Sequence, residues 1–175
     1  MFGNLKVSQK ILVIVVLVGA VLAASLAVSY FSFLNLSRDL EQVKNEGVPN
    51  ALAAKDMQMQ VVQIQQWLTD ISATRGQDGL DDGFKEAEKA HALFHTDLAL
   101  IRTYYVKVMN QSGIEQTDRL KERMDVWYAT GQKMAQTYID GGAPAGNQIM
   151  GEFDKVSIEL QKTLKPVIDD QVSNG

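Results

Sequence analysis

Between Ile11 and Leu34 the chain carries no ionisable side chain except Tyr30, while Lys6 and Lys10 precede that stretch and every acidic residue, from Asp39 onward, follows it. An apolar run of about 24 residues reaches roughly 36 Å as a helix, enough to cross a hydrocarbon core of about 30 Å with some tilt. A cleaved signal peptide has an apolar core of only about 7–15 residues, whereas here the run continues through Tyr30, Phe31 and Phe33. The sequence therefore predicts an uncleaved transmembrane helix over 11–34. The aromatic trio suits an interfacial belt and the two lysines suit the cytoplasmic side. This divides the chain into a cytoplasmic segment 1–10, the span 11–34, a juxtamembrane connection 35–49 and an extracytoplasmic domain 50–175.

That domain repeats one pattern four times. Met57, Val61, Ile64, Leu68 and Ile71 step by four and three; so do Leu80, Phe84, Ala87, His91, Phe94, Leu98, Ile101, Tyr105 and Val108. A third run uses Leu120, Met124, Trp127, Gly131, Met134 and Tyr138, and a fourth uses Ile149, Phe153, Val156, Leu160, Thr163 and Val167. Such heptad seams belong to helices that cross at about 20°. The breaks agree with the seams: Gly76-Gln77-Asp78-Gly79 divides the first pair, and Gly141-Gly142-Ala143-Pro144 the last, with Pro144 where a first helical turn tolerates it. Between the middle runs, Ser112 and Glu115 have capping-box spacing. Pro49, after Gly47-Val48, predicts a kink or short break, and Pro166 a bend in the last turns. With short connections, consecutive helices are antiparallel neighbours. The predicted fold is all-α: an N-terminal transmembrane helix followed by an antiparallel up-down-up-down four-helix bundle. In that topology the end near Arg75 lies far from the membrane.

Composition removes several classes of function. With no Cys there is no disulfide framework, Cys-ligated zinc, iron–sulfur cluster or thiol catalysis. A net charge of -4 argues against a nucleic-acid footprint, which needs clustered cationic residues. No nucleophile–base arrangement or phosphate loop stands out, so an enzyme is not expected.

The run from Val61 to Gly76, with Gln65-Gln66-Trp67-Leu68-Thr69-Asp70-Ile71-Ser72-Ala73-Thr74-Arg75 at its heart, is followed by Asp81-Asp82-Gly83-Phe84 and Glu86-Ala87-Glu88. It resembles the sensory region of bacterial methyl-accepting chemotaxis proteins, and the order of anchor, Val-Pro and bundle is similar too. The resemblance implies an inner-membrane receptor with its bundle in the periplasm, a homodimer that senses a small ligand and needs no cofactor. It also implies signalling by an axial shift of the fourth helix against the first. A complete receptor continues into a second span, a HAMP linker and a methylated coiled coil. The polar stretch after Val167 does not, so the chain reads as a fragment or truncated product. A sensor bundle of a histidine kinase or cyclase shares the same outer physics, and a haem- or metal-binding bundle is a third class.

Several residues bear on that choice. His91 and His95 stand i, i+4, a spacing at which two imidazoles share a metal, but two ligands are too few: a third would have to come from Asp or Glu on a neighbouring helix, and no second helix offers a matching pair. The sequence reading is therefore a packed or hydrogen-bonded His91, a surface His95 and no metal. Haem ligation through Met57, Met124, Met134 or Met150 competes with gap-filling core roles. Adjacent carboxylates such as Asp81-Asp82 and Asp169-Asp170 do not face each other on a helix and make no acid/base pair. Gln60, Gln63 and Gln66, beside Trp67, read as one off-seam face, either solvated or turned to a second copy. Family members that sense amino acids use arginines on the first helix and polar groups on the fourth. The resemblance thereby points to Arg75 with Gln66, Thr69 and Asp70, partnered by Asn147 and Gln148, as a ligand site. The alternative is Arg75 as a charge favourable to its helix C-terminus.

Overall fold

A computed structural model describes residues 6–77 and 82–174. Leu80, Asp81 and the Asp78-Gly79 pair of the first break lie outside the described residues, as does the start of the N-terminal segment. Helix is the only regular structure among those described: α1 Val7–Gln42, a π-helical turn Val43–Gly47, α2 Val48–Thr74, α3 Gly83–Lys107 and α4 Gln111–Asn174. They fall into two compact units, Met1–Lys44 and Asn45–Gly175.

The first unit is essentially α1, which buries none of its side chains. It is long and apolar enough to cross a membrane. Ser25 donates its hydroxyl to the Val21 carbonyl at 2.9 Å, so this polar group is satisfied within its own helix. The short break predicted at Pro49 does not fall at that residue, where the chain stays helical. Pro49 instead occupies the first turn of α2, and the wider π turn ahead of it absorbs the missing amide donor.

In the second unit α2 packs against α3 and α4, and α3 against α4. The first predicted seam is wholly buried: Met57, Val61, Ile64, Leu68 and Ile71 all lie in the core. So are Ala87, Phe94, Leu98, Ile101 and Tyr105 of the second and Leu120, Met124, Trp127, Met134 and Tyr138 of the third. Val108 is not, because α3 ends at Lys107 and the chain turns through Met109 at φ 54°. Ser112 and Glu115 do not form the predicted capping box. Asn110 takes the cap instead, its Oδ1 accepting from the Gly113 amide at 3.0 Å, so α4 begins one residue ahead of Ser112.

The third and fourth predicted helices are joined in α4, whose one non-helical residue is Gly142 at φ 66° and ψ -166°, a conformation open to glycine. Residues 127 and 157 would lie ~45 Å apart along a straight helix. Yet the Trp127 indole N–H donates to Ser157 Oγ at 2.7 Å, and the Trp127 and Phe153 rings stack with centroids 5.4 Å apart. The two halves of α4 therefore lie against each other, folded at Gly142. Gly131 permits a second close approach, since a Cβ there would meet Leu68 Cδ1 at 2.6 Å and Phe153 Cε2 at 2.8 Å. Helical structure continues through Pro166 to the end of α4.

Candidate functional site

The most concentrated polar chemistry sits where α3 faces the first half of α4. His91 occupies a seam position and His95 follows one turn later, so both imidazoles leave the helix on the same side. Asp125 of α4 stands opposite. Its Oδ1 lies 2.8 Å from His95 Nε2 and 3.2 Å from His91 Nε2, and the two Nε2 atoms are 3.1 Å apart. Three potential ligand atoms thus converge on one point. The surroundings hold the rings in place. Tyr128 stacks on His91 with centroids 4.1 Å apart and planes 13° from parallel, and Gln132 donates to the Tyr128 hydroxyl at 3.0 Å. Phe94 meets His95 edge-on from the core. Lys121 Nζ lies 3.6 Å from the other oxygen of Asp125.

Burial, and then the neighbouring His95, hold His91 below the ordinary imidazole pKa, against the opposing pull of Asp125 and Glu88. Burial, assisted by Glu88, raises the Tyr128 phenol.

This corrects two expectations. His95 is half-buried and paired rather than a surface residue, and the neighbouring helix, though it offers no matching pair, sets the carboxylate of Asp125 opposite the two histidines. No matching pair is needed there, because one carboxylate opposite an i, i+4 histidine pair completes a set of three. The sequence holds a usable signal for this. Antiparallel helices joined by a short turn place residues opposite when they lie equally far from that turn, and Asp125 is as far after Met109 as the midpoint of His91 and His95 is before it.

The second group lies at the end of α2. Arg75 caps the helix in the left-handed region at φ 57°, its amide bonded to the Ile71 carbonyl at 2.7 Å. Its guanidinium crosses to α4, reaching the Ile139 carbonyl at 3.4 Å and packing over Gly142. Arg75 thereby ties the end of α2 to the fold in α4. Asp70 and Thr74 line a cleft of about 210 Å³ with Trp67, Ile71, Ala73, Asp82 and Gly83. Gln66 and Thr69 are exposed and outside that lining. Asn147 accepts from the Tyr138 hydroxyl at 2.5 Å, and Gln148 is exposed. Among the described residues no hydrogen bond joins Arg75 to Asn147 or Gln148.

The glutamine face also divides. Gln63 and Gln66 are exposed, but Gln60 is buried, donating to Asp97 at 2.8 Å, while its Oε1 has no partner among the described residues. Sequence reasoning does not reveal a groove of about 600 Å³ between the two halves of α4, lined by Arg119, Arg123, Glu122, Glu159 and Lys162 among others.

No family model, curated protein or solved structure matches this chain.

Proposed function

We propose that the chain is the ligand-sensing region of a chemoreceptor-like transmembrane signal transducer. In this reading α1 is an uncleaved inner-membrane anchor with its N-terminus in the cytoplasm. The unit Asn45–Gly175 is an extracytoplasmic up-down-up-down four-helix bundle, made of α2, α3 and the two halves of α4, that works as a parallel homodimer.

One observation carries the reading. The helix that continues from the apolar α1 bears two heptad stripes, of which the unit itself uses one. Beside the buried seam, Val48, Leu52, Met59 and Val62 are exposed and alternate by four and three with Lys55, Gln66 and Thr69. A second apolar stripe on the same helix suits pairing with a second copy through knobs-into-holes packing. The anchor favours parallel pairing, since both copies enter the bundle from the same bilayer.

A small ligand is assigned to the end of the bundle that carries Arg75. Asp70 and Asp82 on the cleft wall favour a ligand bearing an ammonium group, while the nearby Arg75 suits a carboxylate. An amino acid supplies both. Binding acts inward only if the ligand prefers one axial position of the last helical segment against α2 over another.

Thermal-shift screening of amino and organic acids tests the site on the full chain in detergent. A stabilising compound is expected among amino acids, with its shift reduced in Arg75→Ala. A compound that stabilises both proteins equally would place the site elsewhere, and no stabilising compound in either screen would remove the ligand-sensing reading.

A further inference from the structure

We propose that His91, His95 and Asp125 form a binding site for a divalent transition-metal ion, zinc foremost, that bridges α3 and the first half of α4. The site is independent of the receptor reading and is tested on the same chain whatever becomes of it.

Protons are too few for the cluster as it stands. The three contacts among His91 Nε2, His95 Nε2 and Asp125 Oδ1 are 3.1, 2.8 and 3.2 Å long, each within hydrogen-bond range. A neutral imidazole has one N–H, an ionised carboxylate has none, and each hydrogen serves one short contact well. Two hydrogens at most are therefore available for three contacts. One contact always sets lone pair against lone pair or N–H against N–H. A single cation at the centre replaces both hydrogens and satisfies all three atoms.

The dimensions agree. Bonds of ~2.0–2.1 Å to nitrogen and oxygen separate ligand atoms by ~3.3 Å on the face of a tetrahedron and by ~2.9 Å on the face of an octahedron. The observed edges of 2.8–3.2 Å fit such a face. A square plane would set one pair ~4 Å apart across the metal, which none of the three is. Two imidazoles and a carboxylate suit zinc and its neighbours nickel and cobalt, not calcium, which takes six to eight oxygens. Three protein ligands leave a position for water or an incoming donor. Both rings are already fixed by Tyr128 and Phe94, so little ordering is left to the metal. Lys121 is the one cation close to Asp125 among the described residues, and it addresses the oxygen that the histidines do not use.

The test uses the full chain in detergent, stripped with a chelator and titrated with zinc chloride by calorimetry, with cobalt(II) as a visible-absorption probe. One zinc per chain is expected, with a raised Tm and a cobalt ligand-field band that zinc displaces. His95→Gln and Asp125→Asn should each weaken zinc binding by at least about tenfold, since even outer partners of metal ligands are worth that much. Lys121→Ala should bind zinc at least as tightly as wild type. Zinc affinity unchanged in both ligand variants would overturn the site, reducing the binding to scattered surface groups. If those variants fail to fold, the wild-type spectrum decides: without a cobalt band that zinc displaces, the proposal is wrong.

Discussion

Trp127→Ala is expected to destabilise the Asn45–Gly175 unit by about 3–5 kcal/mol, the range for deleting a buried aromatic side chain. Trp127 is 1% exposed, so almost its whole surface is sheltered. Three effects coincide. The cavity removes packing that the rigid helices cannot recover by collapse, the stack on Phe153 disappears, and Ser157 Oγ no longer has the indole donor. Together the stack and the hydrogen bond hold one half of α4 against the other. Trp127→Phe separates the parts: it keeps most of the ring packing and gives up the hydrogen bond, so it should cost about 1–2 kcal/mol. Urea denaturation followed by circular dichroism measures both. A destabilisation below about 1 kcal/mol for the alanine variant would mean that the two halves of α4 are not packed through this residue.

The second large effect concerns α1. Val18 and Leu22 lie one turn apart near the middle of the apolar run, both exposed, and α1 buries none of its side chains. Arginine at the centre of a spanning helix costs about 2.5–3.5 kcal/mol. Val18→Arg with Leu22→Arg together should therefore move most of the protein out of the alkali-resistant membrane fraction. Val172→Arg is the control, because Val172 is equally exposed but lies in α4. Its distribution should match wild type. If the double variant stays in the membrane as wild type does, α1 is not the anchor.

The seams are legible because burial in packed helices follows the 4-3 alternation directly. Met57 to Ile71 and Leu120 to Tyr138 follow it throughout, and even Gly131 belongs to its seam, as a close approach rather than a side chain. Legibility fails where one residue decides the phase. After Leu160 the buried positions are Leu164, Val167 and Gln171, so the seam passes through Leu164 while Thr163 is only half-buried. Counted from the half-buried Val156, the steps to Leu160 and on to Leu164 are two successive fours, a stutter that a strict alternation overlooks. Polarity alone puts Gln60 on an outer face, but an amide reaching Asp97 can be buried beside the seam. The Ser112–Glu115 spacing hides the Asn110 cap, although asparagine is itself a strong N-cap. Asp125 requires the register between two helices, which periodicity within each does not contain. The Arg75 end is legible as a helix terminus and not as a set of contacts. That Arg75 spans to Ile139 depends on the packing of α2 against α4, which brings residues distant in sequence together.

The central claim is that α1 is an anchor with its N-terminus inside and the helical unit outside. The chain has no cysteine, so a single introduced thiol reports its own side of the membrane. Ser8 at the start of α1 and Lys155 in α4 are both exposed and suit this purpose. Intact cells carrying Ser8→Cys or Lys155→Cys are treated with a membrane-impermeant maleimide, before or after lysis. An anchor of that orientation predicts that Lys155→Cys is labelled in intact cells, after permeabilising any outer membrane, and that Ser8→Cys is labelled only after lysis. Labelling of Lys155→Cys only after lysis would contradict it.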